Sequence, residues 1–432
     1  RTSAGQRIVI PMSHRLTLCI PLIIAAVAAT AVAAERSSVP TQAWFPQAPP
    51  LKNPTGQIIR VATVDQLFRA AETVKPGGTI LLADGHYMMP RYFELRTDNV
   101  TMRSETGRRD GVVIDGARSR HGELVGIRGC EGVTIADLTI QNIKWNGFKL
   151  NSNHGVQRVT IYNCVIHNIW QRGIKGVAVP AANREALRPK DCRIQYCLFY
   201  NDRPKQFSDD PADTPERFQG NYIGGMDIMY ATNWTISDNV FIGIQGRTRE
   251  ARGAIFLWHD SRDCIIEQNI VIDCDSGICL GNSSKRAETE THCRRCIVRN
   301  NFITRTPENG ILADYTTDCA IIHNTIHDPT SRQKRLIRLV HDNAGLLVAN
   351  NLISGPPLMN RATGQVQIRH NRTSDFTDAF TSAQDGNLHL RHALPDIAIV
   401  APRLSQASRD IDGELRGDQP SAGADEPERP RP

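Results

Sequence analysis

Two lysines hold matching places in a repeated four-residue pattern, Gly147-Phe-Lys-Leu150 and Gly173-Ile-Lys-Gly176, and the next match, Gly225-Met-Asp-Ile228, carries an acid there. Alternate residues of a strand face outward. Stacked strands of this pattern therefore present one outward column of Lys149, Lys175, Asp227, Phe256, Cys279, Leu312 and Arg338. A second column runs Arg96, Arg128, Asn151, Val177, Met229 and Trp258. Cations spaced by about 5 Å per strand suit a polymer with regularly repeated carboxylates or sulfates, such as a uronic-acid polysaccharide. β-Elimination in such a polymer needs a group to neutralise the carboxylate, a base for the adjacent proton and an acid for the leaving oxygen. A lysine crowded by other cations gives up its proton more readily and becomes a usable base. Lys149 or Lys175 fits that role, with the other lysine or Arg128 at the carboxylate. His259, at the end of the next strand, is a candidate proton donor or positioning group, and Asp227 completes the catalytic set. Arg96, Arg128, Asn151, Tyr230, Trp258 and Arg338 are candidate substrate contacts, the aromatic ones through stacking on sugar faces and Arg338 at a distal position.

The elements that must position these residues follow from a repeat. Asn239, Asn269, Asn301, Asn324, Asn351 and Asn371 each lie between two short apolar strands, and Cys197, Cys164 and Leu138 hold the slot earlier, at intervals of 20 to 42 residues. An irregular period with a fixed motif and variable insertions marks a solenoid. Asparagine tolerates the left-handed backbone of a tight bend, and its amide can bond its counterpart one coil away. Each coil then reads as a Gly-apolar-x-apolar strand, a second strand such as Val159-Thr-Ile161, the asparagine bend and a third strand. About ten coils are expected from Tyr92 to Asn371. Thr63 to Val74 shows helical periodicity with Thr63 as N-cap, and such a helix would cover the open end of the solenoid. The expansion loops, 200–224, 243–252, 177–191 and 282–295, all flank the first-strand sheet, which makes that sheet the floor of a groove.

Hydrophobic content of 40% and aromatic content of 6% suit a thin core of Val, Ile, Leu and Cys. Residues 1–34, with an apolar run from Leu16 to Ala29 and small residues ending at Ala34, read as leader and signal peptide. This implies a secreted, periplasmic or cell-surface protein with no span remaining after cleavage. Removing them takes three arginines and no acid, lowering the formal net charge from +6 to +3, too mild for a nucleic-acid partner. Cys192, Cys264, Cys296 and Cys319 share an inward position and are expected as a mostly reduced stack. Residues 35–57 form an N-terminal extension, 58–415 the solenoid, and 416–432 a disordered tail; a monomer is expected.

The helix, then Pro76-Gly-Gly-Thr-Ile-Leu-Leu82, then coils of Asn-Gly-Ile-x-Leu and Val-x-Ile-x-x-Asn resemble the right-handed parallel β-helix proteins of the pectin lyase-like superfamily, nearest the chondroitinase B and alginate lyase group. The resemblance covers roughly residues 58–415. It implies an all-β, single-stranded right-handed parallel β-helix and a lyase that uses a lysine base and an arginine acid, often with calcium gripping the uronate. Asp209, Asp210 and Asp227 are the best available calcium ligands. The expected activity is a polysaccharide lyase on an anionic glycan. A glycoside hydrolase using Asp227 and Asp260, a uronate epimerase and a non-catalytic glycan-binding solenoid remain alternatives.

Overall fold

The computed structural model describes residues 39–398 and 403–427. The chain divides into residues 1–40 and 41–432. The proposed leader and signal peptide lies outside the described residues, and every element below belongs to the second unit. Three long parallel sheets of 12, 11 and 12 strands run along it. One of them, the groove sheet, takes ten successive coil strands from Phe93–Leu95 to Met359–Ala362, as the repeat predicts. The interior is a continuous apolar column in which residues such as Ile135, Ile161, Ile194, Ile236 and Ile266 stack rung on rung.

The glycines that open five of the groove strands, such as Gly147 and Gly173, have a steric cause. A Cβ on Gly147 would stand 2.7 Å from the Gly173 carbonyl oxygen, and one on Gly173 2.6 Å from that of Gly225. At these rungs a side chain would meet the carbonyl of the next coil.

The asparagine ladder forms as expected. Asn269 Nδ2 donates to Asn301 Oδ1 at 3.0 Å, Asn301 to Asn324 at 2.9 Å, Asn324 to Asn351 at 3.0 Å and Asn351 to Asn371 at 2.8 Å. The left-handed residue of each bend is not the ladder asparagine but the one before it: Asp238, Gln268, Asn300, His323, Asn350 and His370 all have positive φ. The asparagine is selected for its amide, which also bonds the previous coil's backbone, as Asn301 does to Ile266 O at 3.0 Å. Asn301→Ala is expected to cost about 1–3 kcal/mol by orphaning buried partners, read as a shift in the urea midpoint at unchanged m; an unshifted midpoint would deny the ladder a stabilising part.

The helix Val64–Thr73 is capped by Thr63, whose side chain accepts from Gln66 N in a reciprocal capping box. Its Leu67 and Ala70 are buried, and Phe68 meets Phe93 edge-on at 5.6 Å. All ten cysteines among the described residues are free and buried, and Cys296 N donates to Cys319 Sγ at 3.4 Å within the stack.

Residues 416–427 correct the expectation of a disordered tail. Together with 376–398 they cover the outer face of the third-strand sheet, packing Phe380, Leu388, Ile397, Ala422 and Ala424 on Val240, Ile270 and Phe302. Arg416 is buried and donates to Asn300 Oδ1 at 2.9 Å and to the Gly423 and Ala424 carbonyls. Composition suggested disorder; the outward apolar residues of that sheet supplied a surface to fold on. No helix among the described residues is long and apolar enough to cross a membrane.

Candidate active site

Strand register produces the outward column in full: Lys149 pairs with Lys175, Lys175 with Asp227, Asp227 with Phe256, then Cys279, Leu312 and Arg338 in turn. Gly126 and Glu94 continue it toward the N-terminal end. The predicted row of free cations is nevertheless corrected. Lys149 Nζ lies 2.8 Å from Glu123 Oε1, Lys175 Nζ 2.9 Å from Asp227 Oδ2, and Arg96 folds back onto Glu94. Each of these cations thus has an acid on its own or the neighbouring rung.

Asp227 is the centre of the site. It is 2% exposed and takes bonds from Arg172 Nε at 2.9 Å, Lys175 at 2.9 Å and Trp258 Nε1 at 2.9 Å. Burial alone would raise its pKa; Lys175 and Arg172 outweigh it and hold the carboxyl well below its ordinary value. Two cations against one anion leave this cluster with a net positive charge beneath the groove. Arg172, 1% exposed, also lies over the Tyr222 ring at 4.0 Å, tying the floor to the long loop. Sequence reasoning missed Arg172 because it precedes the repeated glycine, where Asn146 and Gly224 hold the register-matched places.

The loop walls are anchored by buried charge. Lys205 is fully buried between Asp210 at 3.1 Å and Asp213 at 2.8 Å. Trp145 Nε1 and Gln171 Nε2 donate to the same Asp210 carboxylate. Asp209 forms a two-pronged pair with Arg203, both bonds 2.7 Å. The expected calcium ligands are not brought together by these contacts. Asp209 pairs with Arg203, Asp210 with Lys205 and Asp227 with Arg172 and Lys175, and the three do not bring their oxygens within reach of one ion; the one such grouping among the described residues is His389, Asp412 and Asp425.

Two further residues are placed otherwise than expected. His259 and Tyr230 are each 1% exposed, so neither meets a bound sugar. Both take left-handed φ, 50° and 59°, where their strands end, so strand alternation no longer sets their direction. His259 stacks on Trp258 at 3.9 Å and approaches Thr289 Oγ1 at 3.5 Å. Burial, with Arg286 and His292 nearby, pushes its pKa down to about 3 and keeps it neutral, unfit to donate a proton. Tyr230 lies under Arg184 at 4.7 Å. Both rings brace Trp258, which keeps partial exposure on the floor.

The N-terminal part of the groove holds a group that the sequence reading passed over. The Tyr92 hydroxyl lies where a Cβ on Gly126 would be, beside Lys149 in register, and accepts from Asn151 Nδ2 at 3.0 Å. Burial and the charges of Glu94 and Glu123 raise its pKa, although the Asn151 bond opposes them, so the phenol stays protonated. Gly126 at an outward strand position was the available signal, since a strand glycine often marks a close approach. Arg128 is half-buried one rung from Asn151, and Arg338 sits at the far end of the column, 3.4 Å from Asn309 Oδ1.

A parallel three-sheet coil with loop-walled charges on one face defines a right-handed β-helix protein. The model of the right-handed beta helix region matches residues 123–353 and 253–393, and the chain belongs to that family. No curated protein sequence matches it. Among solved structures it is similar to pectate lyase Pel9A, at 11% identity and TM-score 0.54, over 87% of this chain and 97% of that one. It is also similar to an alginate lyase from Paenibacillus sp. str. FPU-7, at 14% identity and TM-score 0.44, over 72% and 99%. A rhamnogalacturonan lyase matches at 10% identity and TM-score 0.44, over 84% and 95%. At these identities the likeness concerns the fold.

Proposed function

We propose that this chain is a polysaccharide lyase that cleaves a uronate-containing polymer in the groove by β-elimination. The observation that carries the reading is the adjacency of Lys149 and Lys175 on neighbouring rungs, flanked by a protonated phenol on one side and the net-positive Arg172–Lys175–Asp227 cluster on the other. Lys149 is the better base: its side chain is 25% exposed against 12% for Lys175, and its partner Glu123 is 18% exposed against 2% for Asp227. Lys175 is tied to a buried carboxylate whose pairing is costly to break. In the proposed step, the Lys149 amine takes the proton from C5 of the uronate. The C5–H electron pair becomes the C4=C5 double bond as the C4–O bond breaks, and Tyr92 gives its proton to the leaving oxygen. Lys175 and its cluster, with Arg128, stabilise the carboxylate charge as it builds.

The hydrolase alternative fares worse on geometry. It needs one carboxyl kept protonated as an acid, whereas Asp227 is held ionised and Asp260 is paired with buried Arg188. Incubation with pectate, alginate and chondroitin-type polymers tests the choice. Lysis raises both the ultraviolet absorbance of the conjugated double bond and the reducing ends. Hydrolysis raises only the second, and a binding protein neither.

A further inference from the structure

We infer that the C-terminal half of the groove floor is a second uronate subsite, which seats the apolar face of one sugar ring and grips its carboxylate with Arg252 and Arg338. This rests on the reading of the groove as a polyuronate site and adds where the polymer is anchored. Beyond Asp227 the outward column turns apolar. Phe256, Cys279 and Leu312, with Val340 beside them, form a cluster on the outer face of the sheet, and Trp258 packs against it. They floor a hollow of about 180 Å³ rimmed by Arg252, Arg338, Glu308 and Asp314. An apolar floor with a few convergent polar groups is the usual make-up of a ligand site.

The acids of the rim are already engaged. Glu308 binds Arg335 at 2.8 Å, Asp314 binds His341 Nδ1 at 2.7 Å, and Glu250 accepts from Asn221 at 3.2 Å and from Thr248 at 2.9 Å. Arg252 is not, and Arg338 is engaged only through one terminal nitrogen, 3.4 Å from Asn309 Oδ1 and 4.0 Å from Glu308. The Arg252 side chain lines the hollow and has no hydrogen-bond or ion-pair partner among the described residues. Arg338 Nε is buried and unpartnered among the described residues. Arg252, Arg338 and Cys279 line the same hollow, where both arginines have donors to spare, and a planar guanidinium is the side chain best matched to a carboxylate. The hollow begins about two rungs, or about 10 Å, beyond Lys175, so a polymer held there runs on across the lysine pair.

The test is calorimetric titration of the full chain and its variants with pectate and alginate oligomers, with a neutral dextran oligomer as control. Arg252→Ala is expected to weaken binding of the preferred uronate oligomer by about tenfold or more, the worth of one charged hydrogen bond, and to flatten its salt dependence. Leu312→Trp, which fills the hollow without touching charge, should weaken it comparably, while Leu312→Met, with circular dichroism as the folding check, should not. Wild-type affinity in both Arg252→Ala and Leu312→Trp overturns the subsite, as does failure of every uronate oligomer to bind. If the variants weaken binding but the wild type yields no unsaturated product, the subsite stands and the lyase reading falls. Unsaturated product with KM unmoved by either variant gives the reverse.

Discussion

Replacing Lys149 by alanine is expected to lower kcat on the cleaved polymer by about 10²–10⁴-fold, the range for loss of a positioned general base, with KM changed far less. Lys149 is a groove-floor residue whose partner Glu123 is half-buried, so its removal leaves Glu123 partly solvated and the coil intact. Thermal unfolding should accordingly stay close to wild type. Lys175→Ala should instead raise KM and lower stability together, because it withdraws one of two cations from buried Asp227. The split between the two variants separates base from electrostatic support. Equal kcat losses with unchanged KM in both would reassign the base to Lys175 or to the pair.

Asp227→Ala should destabilise the chain by about 3–5 kcal/mol, since it leaves Arg172 buried beside an uncompensated Lys175. The isosteric Asp227→Asn keeps shape and part of the hydrogen bonding and should cost less. The dependence on pH has a definite sign. The carboxyl of Asp227 is held below its unfolded value by Lys175 and Arg172. The native state therefore binds fewer protons than the unfolded chain as pH falls below about 4. Its stabilising contribution is complete above that pH and is lost on further acidification toward the folded value. The stability gap between wild type and Asp227→Asn, followed by denaturant melts, should be constant near neutrality and close in acid. A gap that widened in acid would show that Asp227 is not the ionised centre of the cluster.

The fold was legible because a β-helix repeats its physics on every rung. The ladder asparagines, the strand glycines and the inward Ile and Cys positions each answer one requirement imposed by the coil above, so the outward columns followed by alternation alone. What alternation could not show was the partner of each outward charge. Glu123 is one rung from Lys149 but three residues before the outward glycine of its strand, and Arg172 lies outside the four-residue pattern altogether. A column of cations read from one position per coil therefore looked bare when the structure had paired it. His259 and Tyr230 were misplaced for a related reason: a single left-handed residue at a strand end cancels the two-residue period. Tyr92 was hidden in the turn before its strand, with Gly126 as the one clue. The loop acids looked like a metal set because Lys205, which draws Asp210 and Asp213 inward, is lone and unremarkable in sequence.

The catalytic proposal turns on whether the glycosidic bond is broken without water. The most direct measurement is mass spectrometry of the products formed by the full chain from the cleaved uronate polymer in water enriched in heavy oxygen. Elimination predicts new ends that are unsaturated, lighter than hydrolytic products by one water, and free of label at the moment of cleavage. Saturated products carrying heavy oxygen at the new end would contradict the account and return the groove to hydrolysis.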